Sequence, residues 1–459
     1  MNQPFRLRAS SRRIGPLRSA IRTLRLRYKT RLATFKARRN RFRSQSTFIG
    51  VTGSSGKSTT TALLAHILKG HGHVLPLKPY NQLASLTEAV SGGKHPVDYV
   101  VVEAGILSKG DMQPMADVLQ PDVAIVTFIG MEHFTSFRTR EAIAEEKSAL
   151  VKAIKPGGLA VLNADDDLVA SMAHLTGQRV VTFGRECNAD YQVTRVSSSY
   201  PDNLEIEIVW RGGNIVLTSR LLGEHFWLSV AASVATALEL GVPPRTIAQQ
   251  CATFTPLANR NQIVAIQDGP VFIVDAKKAP LVSLPLAMRV VEQAAAPRKR
   301  IVLGQISDFS GNPKPKYRDA YRAAIAVADQ VLFVGDNAHR SKASVDDRKS
   351  GRFVELQTAR QVHDHIRQTA IKDEVILLKS SNNMHLERVA LAWTHDVKCW
   401  VDTCGRKIDC HMCGLYEHPF EEHAAIVKQQ KKAARKARYR QSLDRILPWR
   451  QGASDDPKK

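Results

Sequence analysis

The sequence predicts an α/β protein with two domains, each built around a doubly wound parallel sheet, and the second domain is smaller and Rossmann-like. Short, strongly apolar segments typical of buried parallel strands alternate with amphipathic segments typical of helices. This alternation runs twice along the 459 residues. Between the two series lie shorter alternating segments and two helical ones, which place the start of the second domain near residues 258–270.

The first series begins at Thr47. Its predicted strands are TFIGVT (47–52), DYVVVEAG (98–105), DVAIVTFIG (122–130) and LAVLN (159–163). Helices are predicted at 57–69 and 140–154, and Pro156-Gly157-Gly158 ends the second. The shorter segments of 190–218 predict a small antiparallel addition, followed by helices at 225–240 and 244–252.

The second series is carried by four further apolar segments with helices between them. They are GPVFIVDA (269–276), RIVLGQ (300–305), DQVLFVGD (329–336) and DEVILLKSS (373–381). We therefore expect a central domain over 46–257 and a C-terminal domain over 258–395. A cysteine-rich segment over 396–425 and a tail over 426–459 follow.

The net charge of +23 is concentrated at the two ends of the chain. Residues 1–43 hold fifteen Lys and Arg and no acid, and residues 428–440 hold seven more. Apolar residues of the basic arm (1–45) are spaced as one helical stripe: Ile14, Leu17, Ile21, Leu24, Tyr28, Leu32 and Phe35. Such a helix either lies on an anionic membrane surface, packs on its own domain or a partner, or is a solvated tail. Few aromatic residues accompany the charge, so nucleic acid is an unlikely partner.

The sequence contains no apolar run long enough to span a bilayer and no apolar core of a secretory signal. We expect a cytoplasmic protein, peripheral at the inner face of the membrane if the basic arm binds there.

Four of the six cysteines cluster within fifteen residues, with the spacing C-x₄-C-x₅-C-x₂-C. Thiolates so spaced favour a structural zinc site in an intracellular protein. A redox or iron–sulfur site and unliganded thiols are the alternatives, and His411 or His418 could replace the first cysteine. The predicted zinc ligands are Cys399, Cys404, Cys410 and Cys413. Cys187 and Cys251 stand alone and are predicted to be inert.

Residues 50–60, GVTGSSGKSTT, join the first strand to the first helix. The Gly and Ser residues permit a tight turn whose amides point at a phosphate, and the following helix N-terminus favours anions. Lys57 is then placed to contact a phosphate, and the Ser58 hydroxyl to bind Mg²⁺. The central domain is therefore predicted to be a P-loop domain that binds ATP through Gly53, Ser54, Ser55, Gly56, Lys57, Ser58 and Thr59.

The loop resembles that of the Mur ligases, because glycine precedes Val51 and Thr52-Gly53 follows. Other segments resemble the family in order and spacing over about 47–395: VVVEAGILSKGDM, PDVAIVTFIGMEHF with NADDD, LLGEHFWLSVAASVATALELG, NRNQIV, VFIVDAKKAP and VILLKSSNNMHLERV. Within the family, the D-alanyl-D-alanine-adding (MurF-like) type is the nearest.

The resemblance implies an ATP- and Mg²⁺-dependent ligase that activates a carboxylate as an acyl phosphate for attack by an amine. It implies that Lys57 contacts the β- and γ-phosphates, and that Ser58 and Glu103 hold one Mg²⁺. His133 would help to hold a second, and Lys147 would be the lysine that becomes carbamylated. The nucleotide would further contact His225 near adenine, Asp275 near the ribose, and Arg260, carried in by closure of the second domain. The alternatives are a chance strand-end acid at Glu103, a structural role for His133, a solvated helix lysine at Lys147, and surface charges at Arg260 and Asp275.

The sequence departs from the family at the acceptor side. A basic arm of about 45 residues precedes the loop, where Mur ligases have a UDP-sugar domain. The second-domain motifs read Ala276-Lys277-Lys278 and Lys379-Ser380-Ser381. We expect a ligase of cell-wall or cell-envelope biosynthesis, with a lipid-linked or polymeric acceptor in place of a UDP-linked one. The alternatives are a ligase that extends a polyamide, as folylpolyglutamate and poly-γ-glutamate synthases do, and a degenerate ATP-binding paralogue.

Overall fold

The computed structural model describes residues 16–76, 81–91, 97–132, 136–186, 188–406 and 408–446. Ile14, His133, Cys187 and the end of the basic tail lie outside these residues. The described chain forms two compact units. The first contains the residues up to Ser198 and Asp202–Leu257, and the second contains Ser199–Pro201 and the residues from Ala258 onward.

The first unit is built on an eight-stranded sheet of order β2-β1-β3-β4-β5-β6-β7-β8. Its strands are β1 (Thr47–Thr52), β2 (Tyr99–Glu103), β3 (Val123–Val126), β4 (Leu159–Asn163), β5 (Arg179–Gly184), β6 (Tyr191–Ser197), β7 (Leu204–Trp210) and β8 (Gly213–Ser219). Strands β1 to β6 pair in parallel, and β6, β7 and β8 pair antiparallel.

The helices of the first unit cover the sheet. They are α1 (Pro16–Arg43), α2 (Lys57–Leu68), α3 (Leu83–Val90), α4 (Met112–Leu119), α5 (Arg140–Lys152), α6 (Asp167–Ala170), α7 (Trp227–Glu239) and α8 (Pro244–Thr253).

Side chains of the parallel strands enter two hydrophobic cores, one on each face of the sheet. In β1, Phe48 belongs to one core, whereas Ile49 and Val51 belong to the other. In β2, Val100 belongs to the same core as Phe48, and Val101 belongs to the same core as Ile49. Successive side chains of a strand point to opposite faces, so a strand that is apolar throughout must be covered on both. This confirms the doubly wound sheet that the apolar runs predict. Strand β5 was not predicted, since its segment contains exposed polar positions.

The second unit is built on a six-stranded sheet of order β13-β12-β11-β14-β10-β9. Its strands are β9 (Gln262–Ala265), β10 (Val271–Asp275), β11 (Lys299–Leu303), β12 (Gln330–Val334), β13 (Phe353–Leu356) and β14 (Val375–Lys379). Only the edge strand β9 is antiparallel within it.

The helices of the second unit include those that follow the sheet toward the C-terminus. They are α9 (Leu284–Gln293), α10 (Pro313–Val327), α11 (Val345–Lys349), α12 (Ala359–Thr369), α13 (Arg388–Leu391), α14 (Cys410–Cys413) and α15 (His423–Ile446).

Helix α1 is fixed to the first unit by its last turns. The Arg41 guanidinium donates to the backbone oxygens of Leu119 and Gln120, each at 2.7 Å, and pairs with Asp122 at 2.7 Å. It also lies 4.2 Å from the centre of the Phe48 ring. Arg41 is 1% exposed, so a residue of the basic arm is part of the interior of the unit.

Candidate active site

The loop between β1 and α2 requires glycine at two positions. Gly53 and Gly56 have φ angles of 139° and 80°, which side-chain-bearing residues rarely adopt. A Cβ atom at Gly53 would also collide with the Thr127 hydroxyl. The tight turn predicted from the sequence is therefore fixed by backbone conformation and by close packing.

The segment after β3 holds this loop in place. The Ser54 amide donates to the Phe128 carbonyl oxygen at 2.6 Å, and its hydroxyl donates to the Gly130 oxygen at 2.9 Å. Thr127 Oγ1 donates to the Ser55 oxygen at 2.6 Å. Because three contacts join the two segments, the loop is preorganised before any ligand binds.

Helix α2 begins at the end of the loop, and Gly56 at its N-cap has no side chain to cap it. The first amides of a helix have no partner within the helix and carry its positive dipole end. Helix α7 packs on α2, where the Ser229 hydroxyl donates to the Gly56 oxygen at 3.3 Å. The start of α2 thus has the geometry of the anion-binding site that the sequence predicts.

Ser58 and Glu103 meet at the carboxyl edge of the sheet. Ser58 Oγ donates to Glu103 Oε2 at 2.7 Å. Glu103 ends β2, the strand beside β1, and ligands of open α/β sheets bind at this edge. A hydroxyl and a carboxylate side by side are oxygen ligands suited to Mg²⁺, so the two residues predicted for one Mg²⁺ fit that ion.

Lys147 is fully buried at the same loop. It is 0% exposed, and its Nζ lies 3.0 Å from the Gly53 oxygen and 2.8 Å from Glu132 Oε1. Lys57 Nζ donates to the same Gly53 oxygen and lies 3.8 Å from Glu132 Oε2. A buried lysine so paired is not a solvated helix residue, and both predicted lysines converge on one carbonyl.

Glu132 is the residue of this cluster that the sequence analysis missed. It is 8% exposed and pairs with two buried lysines. Its position beside His133 in the MEHF segment was the available signal. His133 itself lies outside the described residues.

Asp166 fixes the segment that leads to Glu132. Its carboxylate accepts from the Ile129 amide at 2.8 Å and the Leu168 amide at 3.1 Å. Arg140 contacts both Ile129 and Asp166. It donates to the Ile129 oxygen at 2.8 Å and pairs with Asp166 at 3.3 Å. The NADDD motif therefore acts here by positioning the wall of the site.

The remaining predicted nucleotide contacts lie elsewhere in the fold. His225 occupies a short helical turn just before α7, partly exposed, with its ring 4.4 Å from that of Phe226. In the second unit, Asp275 pairs with Lys379 Nζ at 2.5 Å across neighbouring strands. Arg260, also of the second unit, is partly exposed and stands between two buried residues with left-handed φ angles, Asn259 and Asn261.

The four clustered cysteines all line one cavity of the second unit. None is in a disulfide, and neither is Cys251. Burial, followed by nearby Glu387, raises the pKa of the Cys410 thiol to about 12. Burial also raises the pKa of Cys251 to about 12, which suits the inert role predicted for it. The alternative ligands His411 and His418 are exposed and do not line the cavity.

Comparison with known proteins agrees with this geometry. The Mur ligase middle domain matches residues 51–237. The UDP-N-acetylmuramoyl-tripeptide–D-alanyl-D-alanine ligase of Mycobacterium tuberculosis is 26% identical over 382 residues, 78% of this chain and 74% of that protein. The ligase of the same name from Bacillus subtilis is 24% identical over 346 residues, 74% of each chain.

Solved structures share the fold. MurF from Acinetobacter baumannii superposes with a TM-score of 0.71 at 23% identity, covering 79% of each chain. MurF ligase from Thermotoga maritima, determined in complex with ADP, has a TM-score of 0.70 at 21% identity and covers 79% of this chain and 83% of that one.

Fold and site together define the class, an ATP-dependent ligase that forms amide bonds. The chain carries the Mur ligase middle domain over residues 51–237, within its first unit, and the relatives and solved structures it resembles are Mur ligases of MurF type. This confirms the resemblance on which the sequence predictions depend.

Proposed function

We propose that the protein joins a carboxylate to an amine through an acyl phosphate in the synthesis of a cell-wall or cell-envelope precursor. One observation carries the proposal. Lys57, Ser58, Glu103 and Lys147 meet around a single loop at the carboxyl edge of one sheet.

The reaction has two steps. An oxygen of the substrate carboxylate attacks the γ-phosphorus of ATP and ADP leaves, giving the acyl phosphate. The amine nitrogen then attacks the acyl carbon, inorganic phosphate leaves, and the amine gives up a proton. Negative charge spreads over the phosphoryl oxygens in the first step. The amides at the start of α2 and the Lys57 ammonium are fixed where they stabilise that charge.

Mg²⁺ would be held by the Ser58 hydroxyl and the Glu103 carboxylate. When bound, it offsets phosphate charge and orients the reacting oxygens. We propose that His133 contributes to a second site and that Lys147 becomes carbamylated, which turns a buried cation into an anionic oxygen ligand. Glu132 lies 2.8 Å from the Lys147 amine, so the carbamate would stand beside a carboxylate and would need the cation between them.

The names of the relatives indicate the substrates to test first. They are ligases of UDP-N-acetylmuramoyl-tripeptide and D-alanyl-D-alanine. We propose a peptide carboxylate of a cell-wall precursor as the acyl donor and D-alanyl-D-alanine or a related dipeptide as the amine. His225, Arg260 and Asp275 are proposed to contact the nucleotide, and Asp275 must then exchange part of its pairing with Lys379.

The test measures phosphate release from ATP with cell-wall precursor carboxylates and a panel of amino acids and dipeptides. Lys147→Ala is expected to lower acceptor-dependent release by about 100-fold or more, because a group fixed at the reacting phosphate is lost. Lys152→Ala, an exposed lysine on the same helix, is the matched control and should keep full activity.

Three outcomes separate the candidate functions. Release with a dipeptide supports the proposal, whereas repeated addition of one amino acid to a growing product supports the polyamide-extending ligase. If no acceptor raises release and Lys147→Ala matches the unmodified protein, the chain is an ATP-binding paralogue without ligase activity.

We further propose that α1 contacts an anionic membrane surface. Tyr28, Leu32, Phe35 and Phe42 are spaced as one stripe of the helix and are all exposed, with Phe42 at 88%. The buried residues Ala37 and Arg41 occupy the opposite face. The stripe predicted from the sequence therefore faces away from its own unit at Tyr28, Leu32 and Phe35, and Phe42 extends it by two turns.

The charges around the stripe indicate what kind of surface covers it. The exposed residues around it are basic: Arg31, Lys36, Arg39 and Arg43. An apolar stripe with basic flanks suits the boundary between anionic headgroups and acyl chains. Among the described residues, no helix has the length and apolar character that crossing a bilayer requires. The proposed location is accordingly peripheral, at the cytoplasmic face.

Vesicle co-sedimentation tests this contact. We expect binding to vesicles containing phosphatidylserine and not to phosphatidylcholine alone, and loss of binding when Phe35 and Phe42 are both changed to Asp. Val282→Asp, at an exposed apolar residue of the second unit, should bind normally. Equal sedimentation of the double variant and the unmodified protein would refute the membrane role.

Structural zinc at the clustered cysteines also stands as a proposal. Its support is that Cys399, Cys404, Cys410 and Cys413 all line the same cavity.

A further inference from the structure

The cysteine cavity is also lined by two buried histidines that the spacing of the cysteines does not indicate. They are His385, which follows β14, and His423, the first residue of α15. Their exposed fractions are 2% and 5%. The cavity therefore joins three segments of the second unit that are separate in sequence: the loop after β14, the cysteine-rich segment and the start of α15.

His423 has a nitrogen available for a ligand. Its Nε2 lies 3.1 Å from the His418 carbonyl oxygen. A carbonyl oxygen only accepts, so we assign the ring proton to Nε2, which leaves a lone pair on Nδ1 of the neutral ring. That Nδ1 is buried and has no hydrogen-bond partner among the described residues. A buried polar atom without a partner is unfavourable, and an ion in the cavity would satisfy it.

His385 has the corresponding arrangement. Its Nδ1 lies 3.2 Å from Glu387 Oε1, and because a carboxylate oxygen accepts, we assign the ring N–H to Nδ1. Its Nε2 then presents a lone pair 3.1 Å from Cys404 Sγ. Imidazoles that bind metals commonly donate their other nitrogen to a carboxylate or a carbonyl. Both histidines of this cavity do so.

Glu387 also ties His385 to the second half of the cysteine motif. The Cys410 amide donates to Glu387 Oε1 at 3.1 Å. Ligand atoms of His385, Glu387 and Cys410 all lie within 4.8 Å of one another. Two arginines that line the cavity contact sulfur. Arg388 donates to Cys410 Sγ at 3.1 Å, and Arg406 donates to Cys413 Sγ at 3.2 Å.

We propose that the cavity binds one Zn²⁺ through two imidazoles and two thiolates: His385 Nε2, His423 Nδ1, Cys404, which lies beside His385 Nε2, and one more cysteine of the cavity lining. Two nitrogens and two sulfurs form a set typical of tetrahedral zinc. This inference rests on the proposed zinc site, revises its ligands, and is independent of the ligase reaction. Glu387 and the His418 carbonyl orient the two imidazoles.

The consequence is a connection between the ion and strands β10 and β14 of the second unit. The loop that carries His385 follows Lys379, which pairs with Asp275. A second contact joins Lys277 to Asp409 at 3.3 Å, and Asp409 caps the helical turn that starts at Cys410. The ion would therefore hold the cysteine-rich segment against the loops that follow β10 and β14.

X-ray absorption at the zinc edge, on the full chain purified without chelators, tests the ligand set. We expect an equimolar zinc content and two scattering shells of comparable weight, Zn–N at about 2.0–2.1 Å and Zn–S at about 2.3 Å. The spectrum is taken on the unmodified protein, so no variant has to fold. A single Zn–S shell of four sulfurs would support four-cysteine ligation and overturn the role of the histidines.

Metal content of variants provides the second measurement. His385→Ala and His423→Ala are each expected to lose most of the zinc, whereas His411→Ala, an exposed histidine of the same segment, should retain all of it. Retention of zinc by both His385→Ala and His423→Ala contradicts the ligand set. Absence of metal from the unmodified protein, after supply of zinc under reducing conditions, contradicts the site itself.

Discussion

Glu132 determines the charge balance at the loop. It is 8% exposed and faces two lysines that are themselves buried. Ion pairs in such surroundings are sensitive to the loss of one partner, since the charge left behind is neither solvated nor paired. The state of Lys147 is linked to the same contact, because a carbamate there would place two anions side by side and would require a divalent cation between them.

Changing Glu132 to Gln is therefore expected to destabilise the protein by about 3 kcal/mol, a typical effect of leaving buried charges unpaired. Denaturant unfolding measures the change. Glu145→Gln, at an exposed position on α5, should stay within about 0.5 kcal/mol of the unmodified protein. Equal stability of the two variants would show that Glu132 does not neutralise the lysines.

Residue-level prediction from the sequence reaches contacts that a motif and the end of a strand determine. Ser58 follows from the loop motif and Glu103 from the resemblance and its place at the end of an apolar strand, and the two side chains are hydrogen-bonded. Glu132 could not be found in this way, because its partners Lys57 and Lys147 come from two different helices. Asp275 is indicated by the family resemblance, and its pairing with Lys379 depends on which strands are neighbours.

Helix α1 shows how one element can combine two roles. Its basic composition indicates a binding arm, yet Arg41 is an interior residue with three polar partners. Asp122, one of them, also accepts the Phe48 amide at 2.7 Å. The end of α1 is thereby joined to the first residues of the central strand.

Removal of the Arg41 side chain should release this helix. We expect Arg41→Ala to lower the free energy of unfolding by about 2–4 kcal/mol, because two backbone acceptors and a carboxylate lose their partner. Limited trypsin digestion should then cut within 16–43 several times faster. Arg39→Ala, an exposed arginine two residues earlier, is the matched control. Unchanged cleavage in Arg41→Ala would mean that other contacts hold the helix.

Sequence periodicity predicts elements of this kind but not the direction they face. The stripe of α1 satisfies the pattern of a helix that packs on its own domain, and its observed members nevertheless lie on the exposed side. The small and charged residues Ala37 and Arg41 make the packing contact instead. Which face of the helix packs on the unit therefore depends on the side chains that fit and pair at the contact, and hydrophobicity alone does not determine it.

At the scale of the whole molecule, the two sheets were predictable because parallel strands buried on both faces are apolar throughout. The parts that were not predictable depend on segments distant in sequence. Cys404 and Cys410 are recognisable from their spacing, whereas His385 and His423 join them only through the fold. The second unit is thus understood as a sheet with a cysteine-rich segment fixed to the loops at one of its edges.

The shared carbonyl of Gly53 has a practical consequence for handling the protein. Lys57 and Lys147 both donate to it, and the single Glu132 carboxylate offsets only one of their two charges before any nucleotide arrives. Small oxyanions are attracted to such a place, and sulfate or phosphate in a storage buffer would compete with ATP there. Affinity measurements and crystallisation trials should accordingly begin in chloride or acetate solutions of low ionic strength, and the inhibition constant of sulfate becomes a direct gauge of how accessible those charges are.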